Sequence, residues 1–83
     1  MSKMVGNQIY LLYRQNLKEG GILLLAPHAT YDGVMEQLEA ERLYWETNGW
    51  PVERYVDSSF LLKDNFTKEP KYYYFISQRT IEK

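Results

Sequence analysis

One stretch of this chain carries a helical period, and apolar runs of strand type flank it on both sides. Tyr31, Val34, Met35, Leu38, Arg42 and Trp45 recur at steps of three and four residues, which puts them on one face of an α-helix. Glu36, Glu39, Glu41 and Glu46 fall mostly off that face, and acidic residues early in a helix suit its positive end. Thr30 and Asp32 can each cap the start. Asn48-Gly49 supplies a left-handed stop, and Trp50-Pro51 cannot continue the helix. The pattern predicts one helix from about Asp32 to Asn48. A lone amphipathic helix must bury its stripe against something else, and here that is a sheet.

The strand signals come in two groups. Ile9 to Arg14 is rich in aromatic and aliphatic residues, and Ile22 to Ala26 is a solid apolar run between Gly21 and Pro27. A run of that length between Gly and Pro reads as a buried strand. The short polar loop between the two, ending in Gly20-Gly21, makes an antiparallel hairpin the simplest connection. After the helix, Val52 to Val56 alternates, and Asp57-Ser58-Ser59 is a bulge or a turn. Phe60-Leu61-Leu62 then resumes the strand, or forms a short helix capped by Asp57 or Ser58. Lys63 to Pro70 reads as a loop, and Lys71 to Ile76 is the strongest strand, able to run on to Ile81. Glu82-Lys83 reads as a fraying tail. The expected fold is α+β, in the order β-β-α-β-β, with one antiparallel sheet of about four strands and a single helix on one face. Residues 1–83 read as a single domain.

Size and composition narrow the functional classes. A chain of 83 residues buries only about 60–65% of its unfolded surface. Its 45% hydrophobic content argues against disorder. The mean hydropathy of -0.53 reflects eight tyrosines, which score as polar yet bury large rings. No cysteine is present, which removes disulfide staples, thiolate chemistry and zinc-finger ligation. A small domain without staples relies on its core or on self-association, so a homodimer is expected. Met1 to Asn7 has no apolar leader, and the longest apolar run, Ile22 to Pro27, is too short to span a membrane. The expectation is a cytoplasmic protein without a membrane partner. Asn65-Phe66-Thr67 matches a glycosylation sequon by chance under that expectation.

No constellation of catalytic residues stands out. His28 is the single histidine, so no second imidazole completes a common metal site. Ser2, Ser58, Ser59 and Ser77 sit in no nucleophile elbow. Asp57, Asp64 and Asn65 lack the spacing and glycine of a calcium loop. Gly20-Gly21 precedes a strand, whereas a phosphate-binding turn opens a helix. The helix carboxylates read as a solvated face, with Glu39 and Arg42 as an ion pair. No enzymatic activity, cofactor or metal is expected.

The aromatic excess is the one feature above background. Tyr10, Tyr13, Tyr55, Tyr72, Tyr73, Tyr74 and Phe75 all fall on strands. Neighbours on a strand point to opposite faces, so the last strand is aromatic on both. One helix covers one face, and the other shows its rings to solvent or to a partner. In the first strand Ile9, Leu11 and Tyr13 read as inward, because the other set holds Arg14. Val52 and Val56 read as inward, and so do Tyr73 and Phe75. The outward set Tyr10, Tyr55, Tyr72 and Tyr74, with Arg54 or Lys71 at its rim, is the candidate contact surface. Tyrosine suits exposed strands, protein interfaces and base-stacking platforms. The formal charge of -1 and the dispersed Arg54, Lys71 and Arg79 speak against nucleic acid.

Ile9-Tyr10-Leu11-Leu12-Tyr13, then Gly21-Ile22-Leu23-Leu24-Leu25, then Thr30-Tyr31-Asp32 opening a Glu-rich helix through Met35-Glu36-Gln37-Leu38, resembles small proteins encoded by bacteriophages and prophages. The resemblance covers residues 8–50 and leaves out the C-terminal aromatic strand. It implies an accessory protein that acts in the host cytoplasm by binding, often as an inhibitor or counter-defence factor. It brings no catalytic residues. The expected function is a non-enzymatic binding protein that contacts a host protein or itself. The alternatives are a module holding a small nucleotide-like molecule at a tyrosine-lined dimer seam and, behind it, a single-stranded nucleic-acid binder.

Overall fold

A computed structural model describes residues 7–56 and 58–81. Residues 1–6, Asp57 and Glu82-Lys83 lie outside the described residues, and with them the expectation of a fraying end at Glu82-Lys83. The elements in chain order are β1 (Asn7–Asn16), β2 (Ile22–His28), α1 (Tyr31–Thr47), β3 (Val52–Val56), β4 (Ser59–Lys63) and β5 (Pro70–Ile81). They build one five-stranded sheet in the order β2-β1-β5-β4-β3, with every neighbouring pair antiparallel. The β1–β2 and β3–β4 hairpins form the two flanks, and β5 joins them through its pairing with β1.

The fifth strand corrects the expectation of about four. Phe60-Leu61-Leu62 neither resumes β3 nor forms a short helix. The chain reverses after Val56, and Val52 pairs with Leu62 and Glu53 with Leu61. Ser59, Phe60, Leu61 and Leu62 are all buried. Four consecutive buried residues need cover on both faces and a hydrogen-bonding neighbour on both edges. Inserting β4 between β3 and β5 supplies the edges, the core with α1 covers Phe60 and Leu62, and the rings of the neighbouring strands shield Leu61 on the other face.

The helix forms where its period predicts. Thr30 is the N-cap, its Oγ1 accepting from the Gly33 N–H at 3.0 Å. Asp32 lies inside the first turn, where its charge meets the helix dipole. At the far end the Asn48 side chain donates to the Tyr44 carbonyl at 2.7 Å, and Gly49 turns the chain at φ +84°. A side chain at that φ would clash with its own backbone, which is why glycine ends the helix here. Arg42 pairs with Glu39 and Glu46 on its own helix, and Arg54 of β3 reaches Glu39, tying the helix to the sheet edge.

The core lies between α1 and one face of the sheet. Leu12, Val34, Leu38, Phe60, Leu62 and Tyr74 are buried there, with Tyr10, Leu25, Met35, Trp45, Trp50, Val52, Tyr72 and Ile76 packed around them. Residues directly paired across antiparallel strands share a face. The pairs Leu12↔Ile76, Arg14↔Tyr74, Phe60↔Tyr74 and Leu62↔Tyr72 therefore mark the helix side. This reverses the expected facing of both β1 and β5. Leu12 points in, while Ile9, Leu11 and Tyr13 belong to the opposite face. The residue that misled the reading is Arg14. It sits in the inward set at the rim of the core, its guanidinium 4.4 Å over the Tyr72 ring. Its aliphatic stem lies along apolar surface while the charge finds an aromatic face.

The buried-strand expectation for β2 also fails. Ile22, Leu23 and Leu24 are exposed, and Leu25 alone among them packs on the core. The strand is an edge of the sheet, and a bulge between Leu12 and Tyr13 shifts its register. An edge strand has one neighbour and half the cover of a central one.

Candidate binding face

The face of the sheet turned away from α1 is built by the second alternation set of each strand. Across β2, β1, β5 and β4, Leu24, Tyr13, Phe75 and Ser59 form one row through their pairings. The next row is Ile22, Gln15, Tyr73, Leu61 and Glu53. On the other side of the first row lie Pro27, Leu11 and Ser77, then Ile9 beside Arg79.

The rings on this face touch one another in sequence. Tyr13 stacks on Phe75 with centroids 5.3 Å apart, and Phe75 stacks on Tyr73 at 5.5 Å. Tyr73 then meets Tyr55 of β3 at 6.0 Å. Each such pair contributes about 0.5–1.5 kcal/mol beyond simple burial. The row runs across the sheet from β1 to β3. Tyr55 is 57% exposed at its end, and Leu61 is 5% exposed among the rings. The central positions hold no charge. Arg79 lies at one end, and Glu53 at the opposite corner pairs with Lys63 at 3.2 Å. The buried Ser59 hydroxyl in the first row has no hydrogen-bond partner among the described residues.

The six residues of the sequence-derived contact surface do not stay together. Tyr55 lies on the helix-free face. Tyr10, Tyr72, Tyr74 and Arg54 are on the helix side, which corrects their placement. Tyr10 meets Tyr31 of α1 edge-on at 5.7 Å. Tyr72 packs near Trp45 at 6.4 Å. Tyr74 is 0% exposed, stacks on Phe60 at 4.5 Å and accepts a hydrogen bond from Trp45 Nε1 at 3.0 Å. Burial pushes its phenol above the ordinary value of 10.0, with Trp45 and Arg14 pulling the other way. Arg54 bonds to Glu39 on the helix. Lys71, near the start of β5, holds its ammonium 5.2 Å over the Tyr72 ring. The face gathers Tyr13, Tyr73, Phe75, Leu11 and Leu24 in their place. No local signal separated the two sets: Ser77, Arg79 and Ile81 continue the parity of Tyr73 and Phe75, and Ile76, Gln78 and Thr80 that of Tyr72 and Tyr74.

His28 and Asp64, two polar groups elsewhere, are engaged in structure. His28 Nε2 hydrogen-bonds to Gln37 Oε1 of α1. The Asp64 carboxylate accepts from the Phe66 and Thr67 N–H groups at 2.8 and 3.0 Å, closing the β4–β5 turn. Those bonds, Thr67's foremost, hold its carboxyl below the usual range. Among the described residues no three acidic or histidine side chains converge on a metal position. No helix among them is long and apolar enough to cross a membrane. No family model, curated protein or solved structure matches the chain.

Proposed function

We propose that the protein acts by binding a protein partner, another protein or a copy of itself, through the helix-free face of its sheet. The observation that carries this is the contiguous aromatic row Tyr13, Phe75, Tyr73 and Tyr55, flanked by Leu11, Leu24 and Leu61, on a face with no helix over it among the described residues. Aromatic anchors in an uncharged centre with polar groups at the rim are the composition of protein contact surfaces. Tyrosine suits this task because two torsions are all it loses on contact. A nucleic-acid platform would pair such rings with a track of cations. The cations near this row are dispersed at its rim: Arg79 at its far end, Lys71 two residues before Tyr73 with its ammonium over the Tyr72 ring, and Lys63 paired with Glu53.

The test compares what the wild-type chain and a face variant retain from cells, read by mass spectrometry. Tyr13→Ser combined with Tyr73→Ser removes two anchors and leaves the helix-side core intact. Proteins retained by wild type and lost by the variant are the expected result. Identical sets in a variant that still folds would overturn the proposal.

A further inference from the structure

We infer that the partner seated on this face is a second copy of the same chain, packed sheet against sheet about a two-fold axis. The inference rests on the binding role of the helix-free face and names its occupant.

The area is the first argument. At the Tyr73 row five strands spaced about 4.8 Å apart span about 24 Å, and at the Ile9–Arg79 row β1 and β5 alone span about 10 Å. The two rows are six steps apart along the strands, or about 20 Å at about 3.3 Å per residue. That tapering patch is roughly 300–450 Å² in projection on each copy, and side-chain relief raises its accessible area further. Two copies therefore cover on the order of 1,000 Å², the size at which a specific interface begins.

The chemistry of the patch is the second argument. Its centre is apolar and uncharged, so it complements a surface like itself. Two such sheets packed face to face lie about 10 Å apart with their inner side chains interdigitated. A two-fold lying across the strands brings the Arg79 end of β5 in each copy over the Tyr73 end of β5 in the other, which keeps the two Arg79 charges at opposite ends of the seam. The chain also has a reason to close this face. It has no disulfide, and its fully buried side chains all lie on the helix side or in β4. A second apolar layer would convert one marginal core into two.

The experiment is sedimentation equilibrium on the full chain over a wide concentration range. The expected mass is twice the 9.9 kDa of one chain. Tyr13→Asp and Tyr73→Asp are each expected to return the mass to one chain while tryptophan emission stays native. Trp45 and Trp50 belong to the helix-side core, so their emission reports folding independently of the face. Leu23→Lys on the exposed β2 edge is expected to leave the dimer intact. A variant-free readout keeps the test open if the face variants misfold. Nitration of Tyr13 and Tyr73 in wild type should be slow at high concentration and fast at low, while Tyr44, on the solvent side of α1, reacts alike at both. A wild-type chain that stays monomeric throughout overturns the inference; retained binding of another protein in that case would leave the role of the face standing. A dimer broken by Leu23→Lys and indifferent to the face variants overturns it in favour of edge pairing.

Discussion

Adjacent residues Tyr73 and Tyr74 give the sharpest test of the fold, because one step along β5 separates the two faces. Tyr74 is fully buried against Phe60 and holds the Trp45 indole N–H. Truncating a buried aromatic ring to alanine costs about 3–5 kcal/mol, and the stranded indole N–H adds about 1 kcal/mol. Tyr74→Ala should therefore cost about 4–6 kcal/mol. A chain of this length has about 4–12 kcal/mol to lose, so the variant sits at or near unfolding. Tyr74→Phe keeps the ring and loses the hydroxyl, for about 1–2 kcal/mol. Tyr73→Ala loses two partly exposed ring contacts and should cost about 1–2 kcal/mol. The assay is urea unfolding followed by Trp45 and Trp50 emission, at protein concentrations low enough to exclude self-association. With a urea slope of about 1 kcal/mol/M for so small a domain, Tyr74→Ala should lower the midpoint by several molar and Tyr73→Ala by about 1–2 M. Equal losses, or a larger loss at Tyr73, would mean that β5 is turned over and that the aromatic row faces the helix.

Leu38→Ala should cost about 2–5 kcal/mol because the side chain lies in the core under α1, while Leu43→Ala on the exposed side of the helix should stay within about 0.5 kcal/mol in the same urea assay. Gly49→Val should lower the melting temperature clearly more than Gly49→Asn, since φ is +84° there; equal effects would remove the cap argument. Lys68 holds a positive φ of 65° without being glycine, so Lys68→Gly should raise stability by up to about 1 kcal/mol, and a loss would show that its bond to the Asn65 carbonyl matters more. The Arg42 guanidinium, with help from Arg54, holds the Glu39 carboxyl below its ordinary 4.5. A lowered folded pKa contributes stability that is fully present above the ordinary 4.5 and is lost as pH falls through the lowered folded pKa. Melting temperature should therefore drop less steeply toward about pH 3 in Glu39→Gln than in wild type, and parallel curves would count against the ion network.

The local elements were legible because each rests on a local rule. The three- and four-residue spacing from Tyr31 to Trp45 gives a helix in any context that offers it a sheet. Thr30 and Asn48-Gly49 end it through bonds made within a few residues. The β1–β2 hairpin and the long β5 follow from runs of aromatic and aliphatic residues between polar breaks. The aromatic excess placed its rings on the strands for the same reason.

Facing and order are different in kind, because they depend on what lies above and beside a strand. Alternation divides Tyr72 to Ile76 into two sets of nearly equal apolarity, and period two is indifferent to which set is inward. The choice was made by Phe60 and Leu62 from β4 and by Trp45 from α1, which together close over Tyr74 and Tyr72. Arg14 looked like an outward marker only while the Tyr72 ring beneath its guanidinium was out of view. The reversal after Val56 likewise needed β5, since β4 is stable only between two neighbours. The amino-acid order thus determined that this chain sets one helix on an aromatic sheet. Tertiary packing alone decided that Tyr74 is core and that Tyr13, Phe75, Tyr73 and Tyr55 form the open row, because burial is a property of neighbours distant in sequence.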